Sequence, residues 1–359
     1  MDEAGAPFRL RDVELREPGP GEVLVRVLAA GMCHTDLAVR GPGLPVMFPI
    51  VLGHEGAGTV EAVGPGVTAV RPGDRVVLTY DSCGRCSNCV LGQPAYCAEF
   101  FPRNLTGRGT DGSTSLRAAD GSEVGGRWFG QSSFATYALA TERGVVRVGD
   151  ELPFSSLAPL GCGVQTGAGA VVNSLGLRLG ETIAVFGAGA VGLAAVMAAH
   201  AAGASEIVAV DLHANRRELA LELGATRVFD GADPDLVKAV KASTGGLGYA
   251  LDTTGAPAVM NSALAVLHPR GTLGIVGGNA AQLPFDARSV ATKRVVSLFE
   301  GDAVPQLFIP RLIALHRQGR LPFDRLVTTF GLDEINEAEA ASARGAVVKP
   351  VLLTERAQA

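Results

Sequence analysis

The sequence predicts a two-domain α/β protein, a partly open β-barrel followed by a doubly wound parallel sheet. Three observations predict it. The first part carries short strands that alternate apolar and polar residues between Gly/Pro turns. From about residue 164 the texture changes to short apolar strands separated by helical stretches, the pattern of βαβ units. The chain of 359 residues is 47% hydrophobic and 19% charged, too long for one comfortable core and apolar enough to bury two.

In the first part, the turn Pro18-Gly19-Pro20-Gly21 leads into an alternating strand through Val27. Thr59–Val63 and Arg75–Leu78 read as further strands, with Pro65-Gly66 and Pro72-Gly73 as turns. Residues 98–127 are polar and glycine-rich and read as an excursion, with Asp111-Gly112 and Asp120-Gly121 as turn centres, the second of a hairpin. Phe134–Ala138 resumes a strand. In the second part, Ile183–Phe186, Ile207–Val210, Tyr249–Asp252 and Gly271–Val276 read as strands, and the stretches after Gly187 and from Arg216 to Gly224 as helices. A helix is expected over Val304–Gln318 and a last strand over Val347–Leu353, returning to the barrel. The expected domains are therefore residues 1–163, 164–301 and a C-terminal return over 302–359.

Composition excludes several classes. The net charge of −5 is spread among interspersed acids and bases, with no basic tract for nucleic acid. The most apolar stretch, Thr182 to Gly203, is interrupted by glycine and lacks positive flanks, so a strand, a turn and a buried helix explain it better than a membrane span. The opening MDEAGAPFRL lacks a leader pattern, which implies a cytoplasmic protein. In that reducing compartment the six cysteines are expected to serve metal binding or catalysis, not disulfides.

Gly187-Ala188-Gly189-Ala190-Val191-Gly192 is a G-x-G-x-x-G between an expected strand and an expected helix. The first glycine allows the tight turn, the second lets the backbone approach a pyrophosphate, and the third lets helix and strand pack closely. The helix N-terminus then offers unpaired N–H groups to phosphate. Asp211 ends the next strand. A carboxylate there accepts ribose hydroxyls and repels a 2′-phosphate, so NAD is expected over NADP. Arg216 follows, either beside the adenosine or as a solvated helix charge.

Cys83-x2-Cys86-x2-Cys89-x7-Cys97 places four thiols in one loop. Four sulfurs close a tetrahedral zinc with no open position, a structural site. Cys33, the pair His54-Glu55 and Cys162 are the remaining candidates. Two sulfurs and one nitrogen would leave a position open for substrate, as a catalytic zinc requires. Taken singly, each is equally a buried cysteine or a core histidine.

Gly53-His54-Glu55-Gly56-Ala57-Gly58 with Gly64 resembles the zinc signature of the medium-chain dehydrogenase/reductase family, and Cys33-His34-Thr35-Asp36, the four-cysteine loop and the glycine motif stand in that family's order. Phe129–Ala135 and Gly161–Ala170 resemble its aryl-alcohol (benzyl alcohol) dehydrogenase branch. The resemblance spans nearly the whole chain. It implies a GroES-like catalytic barrel, a Rossmann cofactor domain and two zinc ions. Cys33, His54 and Cys162 would hold the catalytic zinc, with Glu55 behind it, and the four loop cysteines the structural one. Asp36 would hold the other ring nitrogen of His54. Thr166 and Val191 would lie at the nicotinamide, Val276 would contact the cofactor, and His34 and Lys349 would lie at the pyrophosphate.

The implied reaction is reversible oxidation of an aromatic or allylic primary alcohol. Zinc would stabilise the oxyanion, NAD would take the hydride, and Thr35 would accept the alcohol proton and hand it on through the ribose hydroxyl. The pocket is expected to be apolar, with Tyr80, Trp128 and Phe129 as candidate walls or ordinary core. A homodimer or homotetramer is implied. Two departures stand out. Many members carry a histidine where this chain has Ala38, which leaves the end of the proton relay unassigned. Members also open with a strand ahead of the segment matching Ala6-Pro7-Phe8, which here stands near the first residue. A zinc-free reductase on this fold is disfavoured because every metal ligand is present. A thiol-adduct formaldehyde dehydrogenase would need polar anchors that are not visible. A non-catalytic NAD-binding zinc protein would have no need of Cys33, His54 and Cys162 together.

Overall fold

The computed structural model describes residues 1–41, 44–276 and 283–355. By internal contacts the chain forms two compact units. The first comprises Met1–Cys162, Val304–Pro310 and the residues from Asp324 onward; the second comprises Gly163–Ala303 and Arg311–Phe323. The segment expected to return as a whole to the barrel is thus divided between the units.

The first unit is built on a seven-stranded sheet. Its path runs Val327–Gly331, Lys349–Leu353, Glu22–Gly31, Glu55–Val63, Arg75–Leu78 and Val145–Arg147, and Tyr137–Thr141 pairs on Glu22–Gly31. The two end strands of this path do not pair with each other, so the barrel is open. Strand Glu22–Gly31 is its spine because its side chains alternate: Val23, Val25 and Val27 are at most 1% exposed, while Leu24 and Arg26 on the other face are only partly covered. Each buried valine contributes about 1.5–3 kcal/mol. The register sets Gly31 opposite Glu55, where a Cβ on Gly31 would lie 2.0 Å from the Glu55 carboxylate. Only glycine fits at that pairing. Lys349–Leu353 lies antiparallel to the same end of the spine, Val351 opposite Gly31.

The excursion contains a helix, Phe100–Asn104, and a hairpin, Leu116–Arg117 with Glu123–Val124, closed by the turn at Asp120-Gly121. Glu14–Leu15 adds a third strand to the hairpin. Asn104, fully buried, fastens the excursion by bonding the amide and carbonyl of Asp81, and Arg127 and Arg16 both bond Glu22 at its other end. The strand expected from Phe134 begins at Tyr137 instead. The amides of Ser133 and Phe134 bond the carbonyls of Gly53 and Leu52, so these residues brace the segment before His54.

The second unit is a six-stranded parallel sheet. Its order is Arg227–Asp230, Glu206–Asp211, Thr182–Phe186, Leu247–Asp252, Leu267–Val276 and Arg294–Leu298. Counted in chain order, that is 3-2-1-4-5-6, the doubly wound arrangement. Among the described residues no helix is long and apolar enough to cross a membrane.

Candidate metal and cofactor sites

Strand Glu55–Val63 begins immediately after His54, and the short helix His34–Ala38 begins immediately after Cys33. Cys162 follows the turn Ala158–Gly161, which is held by Thr79 Oγ1 donating to the Gly161 carbonyl at 2.7 Å. A Cβ on Gly161 would meet the Leu78 carbonyl at 2.2 Å, so the turn lies directly on the sheet. These three sources deliver Cys33, His54, Glu55 and Cys162 together, one ligand atom of each within 4.8 Å of the others.

Two features show that this cluster suits a thiolate- and imidazole-bound cation. His54 is 1% exposed, its Nδ1 lies 2.8 Å from Asp36 Oδ1, and its buried Nε2 has no hydrogen-bond partner among the described residues. With the ring proton directed to the carboxylate, the Nε2 lone pair is left for a ligand. The Cys33 thiol is held well below its usual range, chiefly by Cys162 beside it and against burial, with His54 and Lys349 assisting. Zinc takes this donor set in catalytic sites that keep an open position.

Glu55 is fully buried behind the cluster. Both its oxygens lie 2.9 Å from Lys349 Nζ, which also donates to the Met32 carbonyl at 2.9 Å. The ammonium's three N–H donors are thereby accounted for within the first unit. Burial pushes the Glu55 carboxyl up to about 7, with Lys349 pulling the other way. Thr35 Oγ1 is 3.8 Å from Cys33 Sγ, and His34 and Ala38 are exposed on the same short helix.

Trp128 and Phe129, expected as pocket wall or ordinary core, both reach the His54 side of the cluster. Trp128 is fully buried and donates to Asp36 Oδ1 at 2.9 Å. Phe129 stacks on the His54 ring, centroids 4.4 Å apart. Gln131, whose role sequence reasoning missed, accepts from the Gly56 amide and donates to the His54 and Thr79 carbonyls. It clips the main chain on both sides of Glu55. Its place within the Phe129–Ala135 motif was the one available signal, and spacing alone does not say what such an amide holds.

The sulfurs of Cys83, Cys86, Cys89 and Cys97 also converge within 4.8 Å. Amides of Cys83, Cys86, Ala98 and Glu99 point at sulfurs of this group at 3.2 to 3.5 Å, the donors that thiolate ligands attract. No disulfide joins the six cysteines, all of which lie among the described residues.

In the second unit the glycine motif joins Thr182–Phe186 to helix Ala190–Ala202. Gly187 has φ +92, and a Cβ on Gly192 would stand 1.8 Å from the Gly187 carbonyl. A Cβ on Gly189, the residue capping the helix, would meet nothing within 4 Å. That open face above the cap is the cradle a pyrophosphate requires. Asp211, at the end of its strand, accepts from the Ala188 and His213 amides at 2.7 and 2.8 Å, and its oxygens keep further lone pairs for hydroxyls. Arg216 lies half-buried in the first turn of helix Ala214–Glu222. Thr166 Oγ1 is 3.4 Å from Glu300 Oε2. Helix Gly163–Gly169 meets helix Ala190–Ala202 closely, since a Cβ on Gly167 would lie 2.0 Å from the carbonyl of Val191. Val276 ends its strand, buried.

Comparison with known proteins decides the family. The alcohol dehydrogenase GroES-like domain matches residues 19–150, and the zinc-binding dehydrogenase domain matches residues 190–305. The chain belongs to the zinc-dependent medium-chain alcohol dehydrogenases. Geraniol dehydrogenase of Castellaniella defragrans is 49% identical over 98% of this chain and 96% of its own length. A crystal structure of an alcohol dehydrogenase zinc-binding domain protein from Burkholderia ambifaria matches with TM-score 0.96 and 50% identity, covering 99% of this chain and 97% of that one. Benzyl alcohol dehydrogenase of Acinetobacter calcoaceticus matches with TM-score 0.94 and 43% identity, covering 99% and 98%. As a zinc alcohol dehydrogenase, the chain acts on a small-molecule alcohol.

Proposed function

We propose that this enzyme oxidises an aromatic or allylic primary alcohol to its aldehyde, reversibly, with NAD as hydride acceptor. The observation that carries the reading is the buried His54 Nε2, without a hydrogen-bond partner among the described residues, on a ring whose ligand atom lies within 4.8 Å of those of Cys33 and Cys162. Cys33, His54 and Cys162 would hold a catalytic zinc, and Cys83, Cys86, Cys89 and Cys97 a structural one. Zinc supplies positive charge to the substrate oxygen, and NAD supplies the hydride acceptor. The chain's own residues set the geometry. Asp36 fixes the His54 tautomer. Thr35 Oγ1 would accept the hydroxyl proton while passing its own on to the ribose hydroxyl of the cofactor. Lys349 holds Glu55 as an ion pair behind the ligands, in place of the phosphate contact that the family resemblance implies. Gly187, Gly189 and Gly192 admit the pyrophosphate, Asp211 takes the adenosine ribose, and Arg216 lies beside it. Thr166 and Val191 border the nicotinamide, Val276 also contacts the cofactor, and His34 lies at the pyrophosphate.

The substrate class follows the relatives named for geraniol and for benzyl alcohol; both alcohols carry the hydroxyl on a carbon next to a π-system. Cysteines without disulfides suit a reducing cytoplasm. The reading includes a homodimer or homotetramer, which light scattering on the eluted protein tests.

The deciding experiment measures zinc per chain and NADH formation with geraniol, benzyl alcohol and saturated alcohols. Two zincs and fastest turnover of the first two alcohols are expected. Equal rates with saturated alcohols would overturn the substrate class, and activity with NADP alone would overturn the cofactor.

A further inference from the structure

The Asp36 carboxylate is fully buried and is the hub of the first unit's metal cluster. Its Oδ2 accepts from the Cys33 amide at 3.1 Å. Its Oδ1 faces three donors: His54 Nδ1 at 2.8 Å, the Gly53 amide at 3.0 Å and Trp128 Nε1 at 2.9 Å. The first two belong to His54 and the residue beside it. The third comes from a residue distant in sequence with no ligand role of its own.

We propose that Trp128 is a positioning residue for His54: its indole N–H, delivered to Asp36, locks the carboxylate that fixes the histidine's tautomer and ring plane. This rests on the reading of Cys33, His54 and Cys162 as zinc ligands. An indole N–H can only donate. Fully enclosed, it must find an acceptor or lose the value of a buried hydrogen bond. The acceptor it finds is the oxygen atom that also holds His54. With a donor on Oδ2 and three on Oδ1, the carboxylate has no second orientation that satisfies them all. The imidazole follows, because Nδ1 can keep its proton on Oδ1 only in one ring setting. A second route reinforces the first. The Trp128 ring meets Phe129 edge-on, centroids 5.3 Å apart at 69°, and Phe129 stacks on His54 at 26°. A phenylalanine at 128 would keep the packing route and lose the hydrogen bond, so the two are separable.

The chain has one tryptophan, which makes the test specific. Zinc release to a strong chelator is followed in the wild type and in Trp128→Phe, with the four-cysteine zinc as internal control. The expected result is two zincs per chain, with one released about 10-fold or more faster in the variant and the other at an unchanged rate. Equal release of both overturns the inference. One zinc per wild-type chain overturns the zinc reading, and this inference with it. Should Trp128→Phe lose its four-cysteine zinc and fail to fold, the wild type decides. Its single indole N–H resonance should shift when the faster-exchanging zinc is withdrawn and return when zinc is restored. An indole resonance unmoved by that cycle overturns the proposal.

Discussion

Replacing Gln131 by methionine tests how much of the site's order lies in main-chain clipping. The side chain is 1% exposed and makes three hydrogen bonds: it accepts from the Gly56 amide at 3.0 Å and donates to His54 and Thr79 carbonyls at 3.0 and 3.2 Å. Methionine conserves the length and bulk and removes all three bonds. Each main-chain group left buried without a partner costs about 1–3 kcal/mol. The carbonyls, with two lone pairs each, suffer less than the amide. The sum expected is about 3 kcal/mol. At roughly 2–4 °C per kcal/mol for units of this size, the melting temperature should fall by about 6–12 °C. Calorimetry on the zinc-loaded protein measures it, and zinc content checks that the metal is retained. A fall below about 2 °C would refute the reasoning, since it would mean that the strand beginning at Glu55 holds its place without the clip.

Three further outcomes are expected. Gly192→Ala drives a Cβ to 1.8 Å from the Gly187 carbonyl, so the glycine turn must open; cofactor affinity by fluorescence titration should fall at least 10-fold with zinc content unchanged. The Glu22 carboxyl is lowered to about 2, burial being overcome by Arg16, the Gly19 amide and Arg127. Its contribution is therefore full above the ordinary carboxyl range and lost as pH falls toward 2. Glu22→Gln should cost about 2 kcal/mol at pH 7 and almost nothing near pH 2, read from urea midpoints at several pH values. Ala38 is exposed on the helix carrying Thr35, and Ala38→His should add a titrating group that changes the pH profile of turnover. An unchanged profile would show that protons leave by another path.

The cofactor unit was largely legible in the sequence because its signals are local. Strand, glycine turn and helix lie within residues 182–203, and Gly187 by its positive φ and Gly192 by its close approach each have a steric reason within the motif. The four-cysteine loop was legible for the same cause. The remainder of the first unit was not. Trp128 and Asp36 are far apart in the chain, and no periodicity says that an indole will meet a carboxylate. Lys349 was assigned to the pyrophosphate because family position speaks of the ligand, not of Glu55 across the sheet. The strand expected from Phe134 starts late because its first amides are used to brace Leu52 and Gly53. That use is decided in three dimensions, whereas alternation reads only one.

The final strand gives the site an order of assembly. Lys349 reaches Glu55 from 294 residues away, and strand Lys349–Leu353 pairs on the end of the spine that carries Gly31. During synthesis the N-terminal part emerges first, yet its buried carboxylate lacks a counter-charge until residue 349 has been made. Until then Glu55 has no ammonium to pair with, so its burial must be met by protonation, and the Ala29–Gly31 end of the spine lacks its partner strand. A ribosome-bound chain therefore carries an unfinished barrel through the synthesis of the entire cofactor unit. Completion of the barrel is a late, long-range step, so chains truncated shortly before 349 should be substrates for chaperones and proteases, not reduced-activity enzymes.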